Sequence, residues 1–174
     1  HISYCVANST LKYARKTALG WDIRSIPEAG GVGSFTTLAL DFWGYPHIGF
    51  QGNGPFEPVT YVFEDEDGWH VEEVASGTIS QSCYLELDSG DRPHIAYCGY
   101  NKVRYAVRTV SGWESEVVYP DIDHGRGIGL ALDARGDAHI VFRGNDGHVS
   151  AHIYFASYDP EPSSFTVMPD GSGM

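Results

Sequence analysis

Apolar residues alternate with other residues in short runs along the whole chain, and the runs return in a fixed cyclic order. Thr36-Thr-Leu-Ala-Leu-Asp41, Cys83-Tyr-Leu-Glu-Leu-Asp88 and Ile128-Gly-Leu-Ala-Leu-Asp133 share one period-two pattern. Such alternation puts every second side chain on one face of a strand. Each run ends on an Asp that opens a turn of the Asp-x-x-Gly type, where Asp bonds its own backbone and Gly supplies a positive φ. A His-Ile-x-aromatic run follows, at His47-Ile-Gly-Phe50, His94-Ile-Ala-Tyr97 and His139-Ile-Val-Phe142, with a truncated copy at His1-Ile-Ser-Tyr4. Pro46 and Pro93 precede two of these histidines, which suits the first position of a strand.

The third run of each unit is Leu11-Lys-Tyr-Ala-Arg15, Thr60-Tyr-Val-Phe63, Val103-Arg-Tyr-Ala-Val107 or His152-Ile-Tyr-Phe-Ala156, and a Gly-Trp pair at 20–21, 68–69 and 112–113 opens the fourth. We label the four strands of a unit A to D. Two places break the pattern. Gly90 falls one place early after Asp88, which predicts a different turn there. The last unit carries Asp159-Pro-Glu-Pro-Ser-Ser-Phe165 instead of Gly-Trp, which predicts a different outer edge.

The histidines at 1, 47, 94 and 139 are separated by 46, 47 and 45 residues, a period in which four-stranded propeller blades fall. The expected fold is therefore all-β: a β-propeller of four-stranded antiparallel blades. About three and three-quarter blades are expected in this chain, with boundaries at 1–34, 35–81, 82–126 and 127–168 and a tail at 169–174. Because one unit lacks strand A, the expectation is a segment of a longer propeller, or a homodimer whose two copies complete one ring.

Charge narrows the partners. Lys and Arg number 11 against 23 Asp and Glu, a formal net charge of −12, which opposes binding to nucleic acid or anionic lipid. Apolar runs stay far below the roughly 20 residues of a membrane span, so no membrane insertion is expected.

Candidate chemistry concentrates in loops, where a rigid scaffold commonly carries function. In a propeller, the B–C and D–A loops converge at one end of the channel. Two of them are rich in hydrogen-bonding groups: Asp121-Ile-Asp-His-Gly-Arg126 and Arg143-Gly-Asn-Asp-Gly-His148. They flank one A–B hairpin and are expected at the same end of one blade. As a binding site, Asp121, Asp123, His124, Arg126, Arg143, Asn145, Asp146 and His148 would bond a polar ligand, with Tyr100 or Phe56 from neighbouring loops stacking on a sugar ring. As an enzyme, Asp123 and Asp146 are the candidate acid–base pair on a glycosidic bond. The repeated histidines, Asp41, Asp88 and Asp133, and Trp21, Trp69 and Trp113 read most simply as structural, the aspartates forming turns and the tryptophans packing between blades.

No zinc spacing, phosphate-cradling glycine loop or serine nucleophile elbow occurs. No cofactor is expected; calcium is the metal that Asp121-Ile-Asp123 and Asp65-Glu-Asp-Gly68 would suit, as fragments of an acidic loop. If Asp88 and Pro93 close their hairpin, Cys83 lies opposite Cys98 and the two could form a disulfide. A one-residue slip would send them to opposite faces.

Leu-Ala-Leu-Asp, x-x-Gly-x-Pro-His-Ile, Leu-Lys-Tyr-Ala-Arg and Gly-Trp together resemble the repeats of sialidase-like (BNR or Asp-box-related) β-propellers over roughly residues 1 to 168. The resemblance implies an extracellular or cell-surface protein. It does not assign an activity, since the superfamily holds glycosidases and lectin-like modules alike. Glu64-Asp-Glu-Asp-Gly-Trp69 keeps only the Asp and Gly of an Asp box, and Arg24-Ser-Ile-Pro27 interrupts the Arg-Ile-Pro of sialidases. No catalytic residue carries over. The leading expectation is a non-catalytic module that binds a carbohydrate or a protein surface. A fragment of a sialidase-like glycoside hydrolase and a structural repeat unit of a cell-surface assembly are the alternatives.

Overall fold

The computed structural model describes residues 1–6, 10–30, 32–52, 58–76, 80–99, 101–120, 123–145, 151–159 and 164–169. The strands form four antiparallel sheets, each in chain order, that stand as successive propeller blades. The first blade holds β1 (Ile2–Val6), β2 (Thr10–Thr17) and β3 (Gly20–Ile26). The second holds β4 (Val32–Leu40), β5 (Pro46–Gly52), β6 (Val59–Asp65) and β7 (Gly68–Ala75). The third holds β8 (Ser80–Leu87), β9 (Pro93–Gly99), β10 (Lys102–Thr109) and β11 (Gly112–Tyr119). The fourth holds β12 (Asp123–Leu132), β13 (Ala138–Asn145), β14 (Ala151–Asp159) and β15 (Ser164–Pro169). No α-helix occurs among the described residues, and one 3-10 turn covers Pro27–Ala29.

The A strands begin at Val32, Ser80 and Asp123, ahead of the boundaries at 35, 82 and 127 that the alternation predicts. The cause is visible in the pairing. Register shifts fall between Val32 and Thr37, between Ser80 and Cys83, and between Asp123 and Ile128. A bulge breaks period two without ending the strand, so the pattern stops where the pairing does not.

Turn chemistry explains the rest of the frame. The C–D hairpins close on two-residue loops, with Thr17 opposite Gly20, Asp65 opposite Gly68 and Thr109 opposite Gly112. Each of these glycines has φ between 116° and 128°, a region side chains rarely enter. At the A–B turns, the backbone N–H of Gly44, Asp91 and Gly136 donates to the carbonyl of Asp41, Asp88 and Asp133. The third turn thus keeps the geometry of the others, contrary to the expectation from the displaced Gly90. Asp91 takes the left-handed position itself, at φ 60°, which Asp tolerates better than most residues. Its carboxylate also accepts from the N–H of Phe42 at 2.9 Å, tying the second and third turns together.

The core sits between blades and not within them. Leu11, Tyr13 and Ile26 of the first blade bury against Ile48, Phe50 and Val62 of the second. Val59, Tyr61 and Val74 meet Leu85, Ile95, Tyr97 and Ala106 of the third. Ala96, Val103 and Tyr105 meet Ile140, Phe142, Tyr154 and Ala156 of the fourth. An aromatic edge recurs at each junction: Trp69 on Tyr13 at 6.0 Å, Trp113 on Tyr61 at 5.3 Å and Phe165 on Tyr105 at 5.4 Å between ring centres. Trp69 and Trp113 therefore pack between blades as expected. Phe165 fills the same place in the last blade, whose β14–β15 connection at 160–163 lies outside the described residues. Polar clamps reinforce two junctions: Arg24 reaches Glu64 at 2.8 Å, and Glu72 accepts from Arg108 at 2.9 Å and from the Trp113 indole at 3.0 Å.

The disulfide expectation is corrected by the register. Leu87 pairs with Pro93, Leu85 with Ile95 and Cys83 with Tyr97, one residue off the alignment that would oppose the cysteines. The five-residue turn from Asp88 to Arg92 fixes this slip. Cys83 consequently faces the second blade and Cys98 the fourth, and both thiols are free, as is that of Cys5. Burial pushes the Cys83 thiol up to about 12 and that of Cys98 up to about 11. Intact-mass analysis should show no labelling of either by iodoacetamide at about pH 8 in the folded chain, and full labelling on unfolding without reductant. Two sites that label only after reduction would demonstrate a bridge and contradict this register.

Candidate functional site

The repeated histidines hold strand B to strand C and to the A–B turn. The His1 Nδ1 lies 2.5 Å from the Tyr13 hydroxyl, and the Nδ1 atoms of His47 and His94 meet the hydroxyls of Tyr61 and Tyr105. On the other side of the ring, the His94 Nε2 is 3.4 Å from Asp88 Oδ2, and that of His47 is 3.8 Å from Asp41 Oδ2. The remaining carboxylate oxygen of each Asp accepts backbone N–H groups of the turn, from Tyr45 at 2.7 Å and from Gly90 and Arg92 at 2.9 Å. In the third blade a neutral imidazole that accepts from tyrosine at Nδ1 and offers Nε2–H to the carboxylate satisfies both ring nitrogens; in the second blade Nε2 faces the Asp41 carboxylate from beyond hydrogen-bond distance. Burial lowers the pKa of His47 and His94 and raises those of Tyr61 and Tyr105, which favours this arrangement of protons. In the fourth blade Phe155 occupies the tyrosine position, and His139 stacks on it at 5.9 Å.

Above His94 and Tyr105 the third and fourth blades part to leave a cavity of about 440 Å³ at the A–B turn end. The volume lies within the range of about 300–1,000 Å³ typical of small-molecule sites. Arg92, from the third-blade turn, and Arg135, from the fourth, supply guanidinium groups. Arg92 is braced by Asp88 at 2.9 Å, and Arg135 lies 3.3 Å from Asp137. Strand β11 contributes Glu114, Ser115 and Glu116, and Tyr158 of β14 closes the apolar side. Burial raises the Glu116 carboxyl above its ordinary value of 4.5. The Ser115 hydroxyl is turned away from the recess: it shares a hydrogen bond of 2.8 Å with Tyr97 on the face of the sheet toward the second blade. Donors, acceptors and tyrosine rings thus line one recess built by two blades.

A second open recess of about 420 Å³ lies on the second blade, between Asp41, Trp43, Tyr45, Asp65 and Glu66. Trp43 and its neighbour Phe42 are exposed and meet edge to face at 5.2 Å.

Of the site residues expected from sequence, Asp123, His124, Arg126, Arg143 and Asn145 are described, and they lie at the other end of the blades. The backbone does bring the two rich segments together: Asp123 pairs with Asn145 and Arg126 with Arg143. Asp123, His124 and Arg126 belong to β12, and Arg143 and Asn145 to β13, so they are strand residues and not loop residues as expected. Arg143 is exposed. Phe56, Tyr100, Asp121, Asp146 and His148 lie outside the described residues, as does the candidate pairing of Asp123 with Asp146. Of the acidic fragments weighed for calcium, Asp65 bonds the N–H of Asp67 and the ring of His70, both at 2.8 Å. Among the described residues no group of three or more His, Cys, Asp or Glu side chains is placed to hold a metal.

No family model matches the chain, and no curated protein does. Among solved structures, a fucose lectin from Kordia zhangzhouensis in complex with methyl-fucoside is 19% identical, over 76% of this chain and 96% of that one, with a TM-score of 0.49. A protein from Lactobacillus plantarum is 12% identical, over 92% of this chain and 66% of that one, with a TM-score of 0.39.

The histidine network has a pH signature. Because His47 and His94 are held below the ordinary 6.5, the unfolded chain takes up protons first as pH falls. Their contribution to stability is complete above that value and is lost as pH drops through the folded-state values. Glu86 and Glu116, held above 4.5 by burial, act in the opposite sense. The urea midpoint should therefore fall between about pH 7.5 and pH 5, and His94→Gln should flatten the fall. A midpoint that is unchanged or rises over that range contradicts the neutral network.

Proposed function

We propose that this chain is a non-catalytic binding module that takes a carbohydrate in the recess between the third and fourth blades. The observation that carries the reading is the composition of that recess: Arg92 and Arg135 supply donors, and Glu114, Glu116 and Asp137 supply acceptors, beside Tyr105 and Tyr158. A sugar presents hydroxyl groups that donate and accept along its edge and an apolar patch of C–H groups on its face. Guanidinium and carboxylate groups bond the hydroxyls, and the Tyr158 ring meets the C–H face. The acidic surface, with its net charge of −12, favours a neutral or cationic glycan over a polyanionic one. An extracellular or cell-surface location agrees with this role.

Glycoside hydrolysis is the second reading, favoured by one feature: the Glu116 carboxyl is held above its ordinary value beside a second carboxylate, Glu114, as a general acid requires.

A glycan array followed by calorimetry on the best ligand tests both. Arg135→Ala and Glu116→Gln alter side chains at the rim and should each weaken binding by about tenfold or more, since a hydrogen bond to a charged group contributes roughly 1.5–3 kcal/mol. Their thermal melts should match the parent. Binding that survives both variants places the ligand elsewhere. Turnover of fluorogenic glycosides that disappears in Glu116→Gln while binding remains establishes the hydrolase.

A further inference from the structure

The two ends of the row of blades present the two unmatched halves of the junction that joins every blade to the next. On the face that a blade turns to its predecessor, Ile48, Ile95 and Ile140 occupy one position and are fully buried. Ile2 occupies it in the first blade and is 48% exposed. The ring that reaches back at each junction is Trp69, Trp113 or Phe165. Trp21 holds that position in the first blade, 49% exposed, with Ile23 beside it also exposed.

The opposite face of the last blade is the complement. Tyr13, Tyr61 and Tyr105 receive the incoming ring and are buried; Phe155 stands at their position in the fourth blade and is 41% exposed. Leu11, Val59 and Val103 are fully buried, while Ile153 at their position is 55% exposed. Val141 and Met168 complete this apolar face. Position by position, each exposed face repeats the chemistry that elsewhere in the same molecule is buried against the other.

We propose that the outer face of the fourth blade receives the outer face of the first blade of a second copy of this chain, with that copy's Trp21 seated edge-on over Phe155. The junction is head to tail and continues the three already formed within the chain. Two copies bring together eight sheets, and propellers close with typically four to eight blades, so a closed pair is the expected assembly. Pairing would use both faces of both copies at once and leave no apolar end face in water.

Light scattering across a concentration series, on the parent and two variants, tests the assignment. The parent should give twice the 19.1 kDa of one chain. Trp21→Asp and Phe155→Asp should each be monomeric, because each spoils one half of every junction. Mixed in equal amounts they should recover the double mass, since each supplies the intact half that the other lacks. If Trp21→Asp lowers the melting point of the monomer, Ile23→Lys reads the same face from a more exposed position. A monomeric parent at every concentration, a ladder of higher masses, a variant that still pairs alone, or a mixture of folded variants that does not pair overturns the proposal.

Discussion

Each blade has two apolar faces and no core of its own, and this constraint shapes everything else in the chain. Period-two alternation sends successive residues of one strand to opposite sides of the sheet, and both sides are apolar in the central strands. In β9 every residue from Pro93 to Gly99 is buried; Ile95 and Tyr97 face the second blade while Ala96 and Cys98 face the fourth. Such a sheet is stable only when sandwiched, so stability accumulates at junctions between neighbours, as it does in other repeat architectures.

The polar network follows from the same geometry. A histidine at the start of strand B is buried by the packing of its blade, so its two nitrogens need partners. The tyrosine of strand C supplies one and the turn aspartate the other, and that aspartate simultaneously fixes the five-residue turn. In the third blade this chain of bonds ends at Arg92, which Asp88 aims into the cavity. The recess is thus a consequence of blade construction: two turns, braced by their aspartates, stand apart above a buried His–Tyr pair and leave charged side chains around the gap.

Much of this could be read from the sequence, because it depends on period and on turn chemistry. The four-strand repeat, the strand-opening prolines, the turn aspartates and the junction positions of Trp69 and Trp113 follow from residue type and spacing, whereas Trp21, expected to pack between blades, is 49% exposed. Three things did not. The bulges that extend β4, β8 and β12 interrupt alternation and so hide the true strand starts. The Cys83 register depended on whether the turn holds four or five residues, a difference that reverses the face. The third turn kept its shape because Asp91 tolerates a positive φ that the displaced glycine suggested it would avoid. The candidate site was missed for a related reason. Its residues lie at strand ends and in tight turns of two blades, far apart in sequence, whereas composition draws attention to long polar loops. The usable signal was Glu114-Ser-Glu116 on β11, where the apolar alternation of the neighbouring strands gives way to polar residues.

The central claim is that the core lies between blades, and Ile2, Ile48, Ile95 and Ile140 test it directly because they share one position in four blades. Each is changed to Ala, and denaturant unfolding is measured at concentrations where the chain is monomeric. The expected loss is about 2–5 kcal/mol for Ile48→Ala, Ile95→Ala and Ile140→Ala, as for other buried aliphatic truncations, and much smaller for Ile2→Ala. An Ile2→Ala loss equal to the other three, or three internal variants that unfold like the parent, would contradict it.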